Sequence, residues 1–194
     1  KFEQYEAFYF SPAIDVYQES LTTNSSASNS LKKQDGSSFS SSFKYGLDYD
    51  KRNQRYMTTE GFRSKFSQSL PLISDVLSIG NQYQWENYYK LANNMVTKFS
   101  IYGSAINSIS DKDVKISNRL SLPSSKLKGF TSGRVGPVDS GDYIGGNYAS
   151  SINLSTTLPM FFQSLENTDI SYFVDMGNVW GVDYSSAVGN SSMI

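Results

Sequence analysis

Apolar and polar residues alternate along most of this chain, in runs of about ten residues separated by polar connectors. Phe43, Tyr45, Leu47 and Tyr49 alternate with Ser42, Lys44, Gly46, Asp48 and Asp50. Successive side chains of a strand point to opposite faces, so this run sets an aromatic face against a polar one; a helix would scatter both sets around its circumference. In the next run Phe62, Phe66 and Leu70 oppose Arg63, Lys65 and Ser67. Leu77, Ile79, Tyr83 and Trp85 then oppose Ser78, Gly80, Gln82, Gln84 and Glu86. Met95, Phe99 and Ile101 oppose Lys98, Ser100 and Ser104, although Val96 and Tyr102 blur the split. Residues 144–158 form the longest run, with Ile144, Tyr148, Ile152, Leu154 and Leu158 against Gly145, Asn147, Ser151, Asn153, Ser155 and Thr157. In the last run Ile170, Tyr172, Val174 and Met176 oppose Ser171, Asp175 and Gly177. A less regular strand covers roughly residues 5–18. The pattern predicts an all-β chain of about seven antiparallel strands.

The connectors differ in length. Residues 19–40 and 106–142 read as long loops, 51–60 as a tighter turn, 71–76 as a short one and 159–169 as intermediate. Up-and-down order puts both long loops, 71–76 and the tail 181–194 at one end, and 51–61, 87–94 and 159–169 at the other. Long loops outside and short turns on the periplasmic side are the habit of outer-membrane barrels. Charged residues make up only 18% and aromatics reach 14%, which suits a sheet with one face in lipid and one in a wet lumen, or equally a secreted β-sandwich. Tyr88, Tyr89, Phe161, Phe162 and Trp180 near strand ends fit the aromatic girdles of a barrel. No apolar run approaches the roughly 20 residues of a membrane helix, but barrel strands need only about ten.

Chemistry is bounded by what is missing. The chain has neither Cys nor His, so thiolate, Ser-His-Asp and His-metal sites are excluded within these residues. A net charge of -1 argues against nucleic acid as the main partner. Asp48, Asp50, Asp111, Asp113, Asp139 and Asp142 read as solvated loop charges, since no calcium loop surrounds them. No cofactor pattern is found, and no enzyme is expected. The chain opens directly into strand-like sequence and closes on a Ser/Gly-rich stretch, which reads as a fragment missing both termini.

One set of residues narrows the reading. Leu127-Lys128-Gly129-Phe130 is followed by Gly136-Pro137, then by Tyr143-Ile144-Gly145-Gly146-Asn147, then by a strand from Phe173 to Trp180. In this order and spacing they resemble the BamA family of outer-membrane assembly factors, in the last part of its transmembrane barrel. Tyr45-Gly46, Tyr49 and Thr59-Glu60-Gly61-Phe62-Arg63 extend the resemblance over most of 41–180. It implies an antiparallel up-and-down barrel of about 16 strands, of which this chain holds less than half, and a loop 106–142 that folds into the lumen. The family's Val-Arg-Gly-Phe motif appears here with Lys128 in place of Arg, and its inward acidic partner matches Asp175.

Parity supports that match from the residues alone, because Asp175 and Gly177 lie opposite the apolar set of their strand. A carboxylate in a lumen needs a cationic or hydrogen-bonding partner. Lys128 is the natural candidate, with Arg134 as the alternative. Lysine offers a point charge where arginine offers a planar fork, so the pair should be less directional. Gly129 would let the loop turn, Phe130 would pack on the inner wall, and Gly145-Gly146 would mark the chain's re-entry into the wall.

The resemblance implies assembly and insertion of β-barrel proteins in a bacterial outer membrane. The implied partners are unfolded outer-membrane protein clients, outer-membrane lipid, and accessory lipoproteins acting through N-terminal POTRA domains outside this sequence. The alternatives are a TamA-like or two-partner secretion translocator, a porin-like channel, and, from another class, a soluble adhesin sandwich.

Overall fold

The computed structural model describes residues 2–92, 95–158 and 170–183. Eight strands form one sheet: β1 (Phe2–Tyr5), β2 (Phe8–Leu21), β3 (Gly36–Asp50), β4 (Gly61–Ser74), β5 (Ser78–Ala92), β6 (Met95–Ser108), β9 (Tyr148–Thr157) and β10 (Ser171–Trp180). Their order is sequential, every neighbouring pair is antiparallel, and a two-residue hairpin, β7 (Val138–Asp139) with β8 (Asp142–Tyr143), lies in the long loop between β6 and β9.

Three departures from the alternation have physical causes. The strand expected over 5–18 runs over Phe8–Leu21 and a further short strand precedes it, because the chain reverses at Glu6-Ala7 and Phe2 pairs with Phe10. Ala7 sits at φ 62, and no Gly, Asn or Pro signals that turn. The loop expected over 19–40 shrinks to 22–35, with one short helix, α1 (Asn29–Lys32), capped by Ser28. The Ser-rich stretch Gly36–Ser42 is strand, paired with Leu21 to Asp15. A 14-residue strand reaches about 45 Å, well past an apolar band about 25 Å tall, so its ends need no apolar alternation to be strand. Finally, β6 runs on to Ser108 and β9 begins only at Tyr148. Ile144, expected on a strand, belongs to the loop and is buried there, 2% exposed.

The register assigns the two faces. Phe8, Tyr49 and Phe62 share the outer face in tilted and edge-on ring contacts, as do Phe10, Tyr45 and Phe66, and Trp85 with Phe99. Such cross-strand aromatic pairs stabilise a sheet beyond their burial. Ile14, Val16, Val174 and Met176 on this face are more than half exposed, and no second sheet covers them among the described residues. A bare apolar face of this extent belongs in lipid, which sets the sandwich aside.

The inner face carries charge. Asp48 and Asp50 are strand residues of this face, not the solvated loop charges expected. Arg63 forks onto Asp48 with both contacts at 2.9 Å. Arg52 forks onto Asp50 at 2.8 Å and lies 3.6 Å from Glu86, which holds Lys98 at 2.9 Å. The network links β3 to β6 at the end away from the long loop. Tyr88 points into it as well, with the Lys98 ammonium 5.3 Å from its ring, so it is not part of a lipid-facing girdle. Trp180 is outward and stacks on Tyr148. Phe161 and Phe162 lie outside the described residues.

A buried apolar cluster joins the long loop to the inner face: Leu122, Leu127 and Val135 from the loop meet Ala149 and Val179 from the wall, with Leu120 and Tyr102 beside them. This accounts for Tyr102, which breaks the alternation of β6: its ring serves the loop, not the bilayer.

Candidate functional site

The loop 109–147 descends along the inner face and is fixed at mid-depth. A turn brings Lys126 and Leu127 amides to the Pro123 carbonyl at 2.9 and 3.3 Å. It drives Leu127 into the apolar cluster and leaves Lys128 facing β10. The Lys128 backbone N–H donates to Asp175 Oδ2 at 2.9 Å, and its Nζ lies 3.3 Å from the same oxygen. The ammonium also stands 4.7 Å from the centre of the Phe173 ring. Asp175 is buried while Lys128 is 40% exposed along its side chain. Asp175 Oδ1 has no hydrogen-bond partner among the described residues. Both contacts fall on one oxygen, and the ammonium, a point charge without the planar fork of a guanidinium, does not also reach Oδ1. Arg134, the alternative partner, lies over the Tyr143 ring instead, 5.8 Å from its centre.

Phe130 does not pack on the wall. Gly129 takes φ +83, a left-handed conformation that suits glycine, and the chain turns away so that Phe130 is 40% exposed. Leu127 makes the wall contact in its place.

The remaining expected positions lie along the seat of the loop. A Cβ on Gly136 would stand 2.8 Å from Val179 Cβ, and Pro137 beside it is fully buried. A Cβ on Gly146 would stand 2.5 Å from the Trp180 carbonyl oxygen, and one on Gly145 2.8 Å from that of Leu120. Gly146 and Leu120 exchange two backbone hydrogen bonds, at 2.8 and 3.0 Å. Gly177 lies beneath Leu122, whose Cδ1 would be 3.0 Å from an added Cβ. Chain re-entry at Gly145-Gly146 is therefore a close backbone crossing over the end of β10, two residues before β9 begins.

A second group of contacts carries no signal in the sequence. Asp183, just beyond β10, accepts from the Val114 amide at 2.8 Å and from the Asn147 side chain. Arg119, whose side chain is fully buried, lies 3.6 Å from it. On the opposite side Gln34, Tyr17 and Glu19 bond the same loop segment. These residues come together only in the fold. Nothing in their spacing or parity sets them apart, and an acidic residue in a Ser/Gly-rich tail reads as solvated. No group of three or more His, Cys, Asp or Glu side chains is placed to hold a metal among the described residues. The contacts of the site hold the loop in position against the wall.

Comparison with known proteins gives the arrangement a family context. The Omp85 superfamily domain matches residues 2–192. The sorting and assembly machinery component 50 homologs of Mus musculus and Homo sapiens are each 29% identical over 180 residues, covering 87% of this chain and 38% of theirs. Homolog A of Xenopus laevis is 26% identical over 185 residues. The crystal structure of BamA from Haemophilus ducreyi lacking POTRA domains 1-3 superposes with a TM-score of 0.76 at 22% identity, over 92% of this chain and 40% of that one. The chain thus spans about two fifths of the length of the proteins it matches.

Proposed function

The chain belongs to the Omp85 superfamily of outer-membrane β-barrels, and we propose that it forms the back wall and lumen loop of an insertase that assembles β-barrel proteins into a bacterial outer membrane. The observation that carries this reading is a loop seated inside an Omp85 barrel wall through Lys128 and Asp175. The names of the relatives, a BamA and three sorting and assembly machinery components, point the same way. The bacterial membrane is carried by the motif resemblance to BamA, and the vertebrate relatives make an organellar outer membrane the second reading.

The mechanism breaks no covalent bond. A barrel that opens between two of its strands offers unpaired N–H and C=O groups, and such groups are costly in lipid. A client strand that pairs with the open edge relieves the cost, and successive strands follow by β-augmentation. In this reading β2–β10 are not the pairing edge. They hold the lumen loop and keep the opposing wall intact through the Asp48–Arg63, Asp50–Arg52 and Glu86–Lys98 pairs. Accessory lipoproteins act through domains outside these residues.

The test is reconstitution of the full protein, with its accessory subunits, in liposomes. Folding of an unfolded outer-membrane client is followed by its heat-modifiable migration on gels. Client folding faster than in empty liposomes is the expected outcome. Ion conductance with no effect on client folding would move the function to a channel, and passage of the client through the membrane without insertion would move it to a translocator.

A further inference from the structure

The lumen loop is bonded to the wall at two levels, and only the deeper one belongs to the motif that led to it. The upper level lies at the end of the sheet where the loop emerges. Both oxygens of Asp183 are engaged there. Oδ2 accepts from the Val114 N–H at 2.8 Å, Oδ1 accepts from the Asn147 side-chain amide, and the Arg119 guanidinium lies 3.6 Å from Oδ2. The Arg119 side chain is fully buried, and a buried cation is costly unless a counter-charge stands beside it.

From the other side, the Gln34 amide grips the loop backbone as another strand would. Its oxygen accepts from the Ile116 N–H at 2.6 Å and its nitrogen donates to the Val114 carbonyl at 3.4 Å. Tyr17 donates to Asn118 at 3.1 Å, and Ser117 donates to Glu19 at 2.9 Å. Tyr17 and Glu19 are on β2, Gln34 lies two residues before β3, and Asp183 follows β10. Five strands separate β2 from β10 in the sheet. The segment 114–119 therefore runs as a chord from one side of the wall to the other.

We propose that Asp183 is a positioning residue: it anchors residues 114–119 as a strap that ties the end of β10 to β2 and β3 across the rim, independently of the Lys128–Asp175 contact below. The strap holds the two sides of this wall at a set separation at the rim, and the deep contact sets how far the loop descends. Opening the mouth on this side requires release of Asp183, whereas withdrawal of the motif from the wall does not. The proposal concerns the seating of the loop and holds whether the barrel inserts, secretes or conducts.

Val114 is fully buried, and so is Leu127 at 2% exposure. Each becomes a reporter as a cysteine, V114C for the strap and L127C for the motif, since these 194 residues contain none of their own, with any cysteine elsewhere in the full protein replaced by serine. The full protein in outer-membrane vesicles is treated with a membrane-impermeant maleimide. D183N keeps the shape of the side chain and removes its charge; in that background V114C should label about ten-fold faster while L127C stays within about two-fold of the parent. K128A, which keeps the backbone bond to Asp175, should speed L127C by about three-fold and leave V114C unchanged. D183E, which restores the charge, should return V114C most of the way to the parent rate.

Q34A loosens the strap from the β3 side without exposing Arg119, and it should also speed V114C labelling. It decides the matter where D183N does not fold, as read from heat-modifiable migration. Unchanged V114C labelling in D183N and Q34A would overturn the proposal. So would equal acceleration of both reporters in D183N and K128A, because the loop would then move as one body. Client folding measured on the same samples reports separately on the insertase reading.

Discussion

The deep contact at Lys128–Asp175 and the rim contact at Asp183 do the same task with different economy. At the deep contact one carboxylate oxygen takes both the backbone N–H and the ammonium of Lys128, while the other is buried without a hydrogen bond. At the rim one oxygen takes a backbone amide, the other takes a side-chain amide, and a buried guanidinium stands alongside. A buried polar atom left unpaired forfeits the hydrogen bond it had in water. The deep contact is therefore under-filled and open to improvement, whereas at the rim both Asp183 oxygens accept a hydrogen bond and the buried atom left without one is Asn147 Oδ1. A motif identifiable in a sequence need not be the tighter of two anchors.

Gly136 offers the largest perturbation, because it removes the seat on which the whole loop rests. G136A adds a Cβ 2.8 Å from Val179 Cβ at φ +123 and should cost about 3 kcal/mol through overpacking and backbone strain. Trypsin cleavage within 109–147 should become rapid in folded barrels. If cleavage is unchanged, the apolar seat is not what holds the loop.

The next pair divides the deep contact. D175A removes the acceptor of the Lys128 N–H and should cost about 2 kcal/mol. K128A leaves that backbone bond in place and removes an ammonium that is 40% exposed, so screening limits its cost to about 0.5–1 kcal/mol. Denaturant midpoints of the detergent-folded full protein rank the two, and an equal or greater loss for K128A would place the weight of the contact on the ion pair instead of the amide.

K128R sharpens the comparison in the opposite direction. A guanidinium reaching both Asp175 oxygens should stabilise the loop by about 0.5–1 kcal/mol, seen as slower L127C labelling. No slowing would mean that the backbone path prevents the fork from reaching Oδ1.

The smallest effect concerns the approach to the rim. Thr23 donates its hydroxyl at 2.6 Å and its N–H at 2.9 Å to Asp35, and the Thr23 hydroxyl above all holds the Asp35 carboxyl below its ordinary 3.8. A lowered carboxylate contributes stability that is present above the unfolded value of 3.8 and is lost as pH falls through the folded value. Pepsin nicking within 22–35 should therefore rise only on acidification below that ordinary value, and T23V should remove the onset. Nicking that is independent of pH in the parent would rule out this link.

Strand positions and the two faces were legible because period-2 alternation follows from backbone geometry wherever one face meets lipid and the other does not. Phe43 to Asp50 and Phe62 to Leu70 are cases where the register agrees with the alternation residue by residue. The Lys128–Asp175 pairing was legible because a resemblance supplied the partner and parity placed Asp175 inward. The Ser-rich start of β3 was hidden, since strand that projects past the bilayer need not be apolar. Asp48 and Asp50 fall on the polar side of their run, but their ion pairs were hidden because neither carboxylate announces which cation it will meet, Arg63 from the next strand or Arg52 two residues on. Phe130 was misplaced because the φ of one glycine decides which side of a turn faces the wall.

Local composition and spacing were enough to settle an antiparallel sheet with a lipid face, a polar interior and a long loop that enters it. Those properties depend on each residue's nearest neighbours along the chain and on the two solvents it must satisfy. Only the tertiary structure decided that the loop is held twice, that Tyr102 serves the loop, and that Asp183 meets Val114, Asn147 and Arg119. Those contacts join residues from separate strands and loops, and their energy exists only once the sheet has brought them together, so no local pattern can record it.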